Sequence, residues 1–219
     1  MQESQKGPSK VITLEDDPVA LERDLENLKK NAIDLGASMA EIIPAEWIEI
    51  DERVRLKCSI PTCPYFDKSI HCPPHSPDLD LMRKTIDRYH HAILFALDII
   101  PTTDFSDHSK GGETSKKWAN KCLEITGKLE TLAFGNGYHL AMGFSQASCL
   151  KALCGQDRCL VLDGGKCPYP LKSRPSMESV GIDVYRLVTR VGWDIYPIYR
   201  SVDPRAVRRA LSVGIVLVQ

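Results

Sequence analysis

No apolar run in this sequence is long enough to span a bilayer. The longest, Ala92 to Ile100 and Gly214 to Val218, fall far short of the roughly 20 residues a membrane helix requires. Met1 to Lys10 is polar and has no apolar centre, so no secretory signal is expected and a cytoplasmic setting is. Charge of one sign is missing too. With 28 Lys and Arg against 29 Asp and Glu, the net charge is −1, which argues against a nucleic-acid or polybasic membrane partner. There is no P-loop and no G-x-G-x-x-G after a strand, so nucleotide binding has no motif. Ser145 and Ser148 lie near cysteines, but no G-x-S-x-G elbow surrounds them. Internal repeats and low-complexity linkers are absent as well. What remains is an ordinary globular chain of 219 residues with 43% hydrophobic content, long enough to fold without staples. Its one abnormal count is cysteine, at eight.

Hydrophobic spacing organises the chain. Residues 1–15 read as a flexible leader and 16–219 as a single α/β domain. Asp16-Asp17-Pro18 opens a helix, Val19, Leu21, Leu25, Leu28 and Ala32 recur at helical spacing, and Gly36 ends it. Glu41 to Ile50 reads as an edge strand broken at Pro44. Val54 to Lys57 alternates in polarity and leads into Cys58. Asp78 to Tyr89 reads as a helix, capped by Ser76 or Asp78, and His91 to Ile100 as a buried strand. After a polar loop, Thr114 to Phe134 forms an amphipathic helix with Trp118, Cys122, Ile125, Leu129 and Leu132 on one stripe. Tyr138 to Phe144, Trp193 to Tyr199 and Val213 to Val218 read as strands, the last two as antiparallel neighbours. The expected fold is α/β or α+β: a layered sheet with flanking helices, carrying two Cys-rich loop segments, 58–78 and 149–175.

The first segment holds Cys58, Cys63 and Cys72 in a C-x4-C-x8-C pattern. Pro64 and Pro73 follow two of the cysteines and Pro61 precedes Thr62, which fixes backbone angles where thiolates must stand at set distances. Three thiols leave a fourth ligand open: His71 and His75 flank Cys72, and the position can also stay free for a substrate or partner. The plain alternative is that these cysteines are small buried hydrophobes. The second segment holds Cys149, Cys154, Cys159 and Cys167 as C-x4-C-x4-C-x7-C-P, a complete four-thiolate set. Structural zinc prefers paired knuckles two to four residues apart, and no C-x2-C pair exists here. The Cys167-Pro168 step matches the Cys-Pro that closes bacterial ferredoxin runs, so an iron–sulfur cluster is favoured over zinc. In a reducing compartment disulfides are not expected. Cys122, on a helical stripe, reads as a core residue. It is also the spare thiol that could complete the first group.

The strings RVRLKC (Arg53 to Cys58), HCPPHSPD (His71 to Asp78) and CPYPLKSRPSMESVGIDV (Cys167 to Val184) together resemble the "predicted metal-binding protein" family of anaerobic bacteria and archaea. The resemblance runs from about Leu25 to the C-terminus and implies metal or iron–sulfur binding through the two cysteine groups. It implies no reaction. Arg174, close to Cys167 in sequence, is a candidate to stand behind the ligands, where a guanidinium would stabilise a negatively charged cluster. The expected role is electron transfer with a partner redox protein, using one or two clusters of the 4Fe–4S type. The rivals are an iron–sulfur enzyme with an open iron at the three-cysteine group, and a zinc-stapled structural or interaction module.

Overall fold

The computed structural model describes residues 10–12, 17–107, 109, 112–198 and 202–219. Apart from 10–12, the leader expected at 1–15 lies outside the described residues.

Asp17 caps helix α1 (Pro18–Asp34), accepting from the amides of Val19 and Ala20 at 3.1 and 3.0 Å, with Pro18 in the first turn. Its buried stripe is Leu25, Leu28 and Ala32. Strand β1 (Met39–Pro44) ends at its proline and passes into a single 3-10 turn, Ala45–Trp47. The alternating Val54 to Lys57 stretch belongs largely to a short helix, α2 (Glu52–Leu56), because Asp51 caps it through the Arg53 amide at 2.7 Å. Asp78 caps α3 (Leu79–Ile86), and the apolar run that follows becomes β2 (His91–Asp98). The polar loop contains a one-turn helix, α4 (Thr103–Ser106), before the long helix α5 (Glu113–Gly135). A short strand β3 (Met142–Phe144), helix α6 (Val184–Arg190) and strand β4 (Leu211–Leu217) complete the set.

The four strands form one sheet in the order β1-β2-β4-β3, antiparallel throughout. Alternation along the strands sends side chains to two layers. Ile93, Phe95, Leu97 and Val216 pack with Leu25 and Leu28 of α1 and Ile125 and Leu129 of α5. Leu94, Ala96, Ile215 and Leu217 pack with Met82 and Ile86 of α3, Val180 and Ile182, and Leu187 and Val188 of α6. The sheet therefore lies between two helical layers, as expected for a layered mixed fold.

One expected strand is absent. Residues 193–198 are irregular, and Tyr199 lies outside the described residues. Both edges of β4 are already taken, by β2 and β3, so no ladder is left there for Trp193 to pair with. Pro197 also lacks the amide a ladder requires.

Candidate metal centre

The first cysteine segment leaves the end of α2. Cys58 follows two residues after Leu56, and the Cys63 amide turns back to its carbonyl at 2.9 Å. The loop is then folded by its own backbone: Asp67 N donates to Pro73 O at 2.8 Å, and His75 and Ser76 both donate to Cys72 O. Two long-range bonds fasten it to the core. Arg55 Nη1 donates to Pro77 O at 2.7 Å, and Ser76 Oγ to Ser179 O at 2.9 Å.

The second segment begins with Cys149, which precedes a π-helical turn, Leu150–Cys154, closed by Gly155 at φ 60°. Cys149 and Ala152 pack on Ala119 and Leu123 of α5. Helix α5 thus packs on two sides: one face carries the sheet, another carries this segment.

Four bonds join the two segments. Cys159 N donates to Lys68 O at 2.8 Å and Arg158 Nη1 to Asp67 O at 2.8 Å. Cys72 Sγ donates to Ser148 Oγ at 3.4 Å, and Ser69 Oγ lies 3.8 Å from Cys149 Sγ. Ser69 of the first segment and Ser148, which immediately precedes the second, are therefore each set against a thiol across the junction. Cys167 Sγ has its own hydroxyl neighbour, Ser173 Oγ, at 3.4 Å.

All eight cysteines are free thiols. Burial pushes the Cys58 thiol up to about 11, and Cys63, Cys72 and Glu178 add to the shift against Arg55. Burial pushes Cys149 up to about 12, with Cys154, Cys72 and Cys159 adding to it and Ser69 opposing. Cys72 is raised by burial against the Ser148 bond, and Cys154 by burial and then by Cys167 and Cys159. Each segment's thiols thus face one another, and Cys72 faces both sets. Cys58, Cys72, Cys149 and Cys154 therefore resist ionising until a cation arrives, since metal ligation takes the thiolate. Among the described residues, no three His, Cys, Asp or Glu side chains already form a group able to hold a metal ion. The donor chemistry, seven free thiols in two adjoining segments, fits a thiophilic metal.

A family described as predicted metal-binding protein (DUF2284) matches residues 41–218. The chain belongs to that family. No curated protein and no solved structure matches it.

Membership in DUF2284 covers both cysteine segments and carries metal binding, without naming the metal. The remaining candidate residues are placed differently from one another. His71 sits beside Cys72 with its imidazole pushed down to about 4 by burial and then by Arg174, so it stays neutral, the form a ligand requires. His75 Nε2 is engaged by Asp67 Oδ1 at 2.7 Å. Cys122 is fully buried on the α5 face of the core, near Phe95 and Ile125, with the Ser145 and Ser212 hydroxyls facing its sulfur. Arg174 gives its guanidinium to Glu130 of α5, Nε to Oε2 at 2.8 Å, and to the carbonyls of Ser173 and Pro170. It holds the chain after Cys167 against the helix.

Sequence reading missed Ser69, Ser173 and Glu130. Each acts across a gap in the chain or from an unremarkable context; only the proximity of Ser69 and Ser173 to cysteines offered a signal. Glu178 begins a 3-10 turn, Glu178–Val180, with a carboxyl pushed up by burial.

Proposed function

We propose that this DUF2284 protein is an iron–sulfur protein whose thiolates at 58, 63 and 72 and at 149, 154, 159 and 167 hold one or two clusters, and that it passes electrons to or from a partner redox protein. The observation that carries the reading is the pair of crossed contacts, Cys72 to Ser148 and Ser69 to Cys149, which keep the two cysteine sets side by side. Hydrogen bonds at ligand sulfurs are one of the levers that tune a cluster's potential. When bound, such a cluster supplies one-electron redox chemistry. The chain's own part is to fix the sulfurs, through the α5 packing of Cys149 and the Arg174–Glu130 pair behind Cys167. Exposed apolar side chains on the same segments, Ile60, Leu160 and Leu171, suit a protein partner.

A second reading, an enzyme with an exchangeable iron at the three-thiol group, is favoured by one feature. Glu178, which acts on Cys58, also lines an open cavity.

The test is metal analysis after anaerobic purification. The reading expects iron, acid-labile sulfide and broad visible absorption. A colourless protein with stoichiometric zinc, unchanged by anaerobic reconstitution with iron and sulfide, overturns it.

A further inference from the structure

Two adjoining cavities share Phe105, Gln146 and Ala147. The second, ≈ 340 Å³, extends to Glu178, Tyr185, Tyr196 and a wall of Ile195, Ile198 and Leu211. That size is at the lower end for small-molecule sites, and the mix of an apolar wall with a few convergent polar groups is typical of them. The cavity adjoins the cysteine region along the chain. Gln146 and Ala147 run directly into Ser148 and Cys149, and Ala147 stands at φ 61°, a left-handed conformation a β-carbon disfavours.

The lining decides what such a cavity can take. Among the described residues, no Lys, Arg or His lines it, and Glu178 is its one carboxyl. An anion would meet no opposite charge among these residues. Gln146 Oε1 is buried and has no hydrogen-bond partner, so an acceptor waits for a donor. Three aromatic residues, Phe105, Tyr185 and Tyr196, line it, and aromatic rings attract a cation to their faces. We propose that this cavity binds a small organic amine as its ammonium ion, paired with Glu178, hydrogen-bonded to Gln146 Oε1 and packed by its apolar body on Ile195 and Leu211. Burial pushes the Glu178 carboxyl up, opposed by its own backbone amide and the Ser176 hydroxyl, and Tyr185 is raised by burial and by Glu178. Among the described residues no cation acts on Glu178, and an ammonium would supply one. The inference stands on the chain's own residues and not on which metal the cysteines hold.

The test is calorimetric titration of the full-length protein with benzylamine, benzyl alcohol and benzoate, three probes of one shape and different charge. Benzylamine is expected to bind at least about tenfold more tightly than the alcohol, and benzoate not at all. Glu178→Gln keeps the shape and removes the charge. It is expected to abolish the preference for the amine while the circular dichroism spectrum is retained. Should that variant not fold, Gln146→Leu provides the second arm and is expected to weaken benzylamine severalfold. Equal affinity for amine and alcohol, preference for benzoate, absence of binding by all three, or a preference that survives the substitution overturns the proposal. Iron and sulfide analysis of the same samples reports on the proposed function separately.

Discussion

Cys122 and Gly214 occupy one spot in the core from opposite sides. A β-carbon added to Gly214 would stand 2.4 Å from Phe95 Cζ and 3.1 Å from Cys122 Sγ, so the strand reaches the ring only because the side chain is missing. The two positions therefore respond to change in opposite ways. Cys122→Ala removes one atom and leaves a small cavity, at about 1 kcal/mol. Gly214→Ala forces Phe95 off its place on a ladder paired on both sides, at roughly 1–3 kcal/mol. Denaturant midpoints measured under one buffer condition should fall in that order. Metal content should match the parent in both variants, because neither position belongs to the cysteine segments. Loss of metal on Cys122→Ala would instead make this thiol a ligand and displace the core reading.

At the scale of elements, α5 is what couples fold to site. Its interior glycine, Gly127, is unfavourable for a helix by about 1 kcal/mol against alanine, yet the position has a reason. A β-carbon there would lie 2.8 Å from the Leu171 carbonyl, so the chain between Cys167 and Arg174 rests directly on the helix backbone. Three residues along, Glu130 holds Arg174 and also accepts from Gly143 N at 2.6 Å. Gly127→Ala is expected to improve the isolated helix and to push the Cys167 segment outward. The expected readout is reduced metal per chain in a variant that keeps its helical circular dichroism; unchanged metal content would mean that this docking does not position Cys167. Much of the scaffold was legible because its signals are local. Asp17-Pro18 and Asp78 cap the helices they were expected to cap, and the apolar run after His91 is the buried β2. The alternation at Val54 left that stretch unassigned, and its five-residue helix follows its cap and not its polarity. Trp193 to Tyr199 has strand composition, but whether it pairs depends on which edges other strands have taken. At the site, cysteine spacing delivered the candidates. It did not deliver Ser69 against Cys149 or Glu130 against Arg174, contacts that span 80 and 44 residues.

For the molecule as a whole, the division of the apolar core suggests how stability is shared between fold and metal. Both large clusters are built from the sheet and its flanking helices; Cys122 lies within one, and the cysteines of the two segments lie outside both. Of the segment cysteines, Cys149 alone joins a core cluster, the small one against Ala119 and Leu123. The cysteine segments are held instead by turns, by a few long-range hydrogen bonds and by bonds to one another. Metal ligation and local folding are coupled where a segment has little core of its own, and regions of few buried contacts open at lower free energy than core strands. Removing the metal should therefore loosen 58–76 and 149–173 and leave the sheet closed. Hydrogen exchange on the protein before and after anaerobic chelation provides the measurement. Faster exchange is expected in the amides of Cys63, Cys72 and Cys159, which are bonded within and between the two segments. Protection should persist along β2 and β4, whose ladder runs from Ala92 opposite Leu217 to Asp98 opposite Leu211. Loss of protection in both regions together would show that the metal holds the entire fold, as in a small zinc-dependent module. Unchanged exchange in the cysteine segments would separate their order from metal altogether.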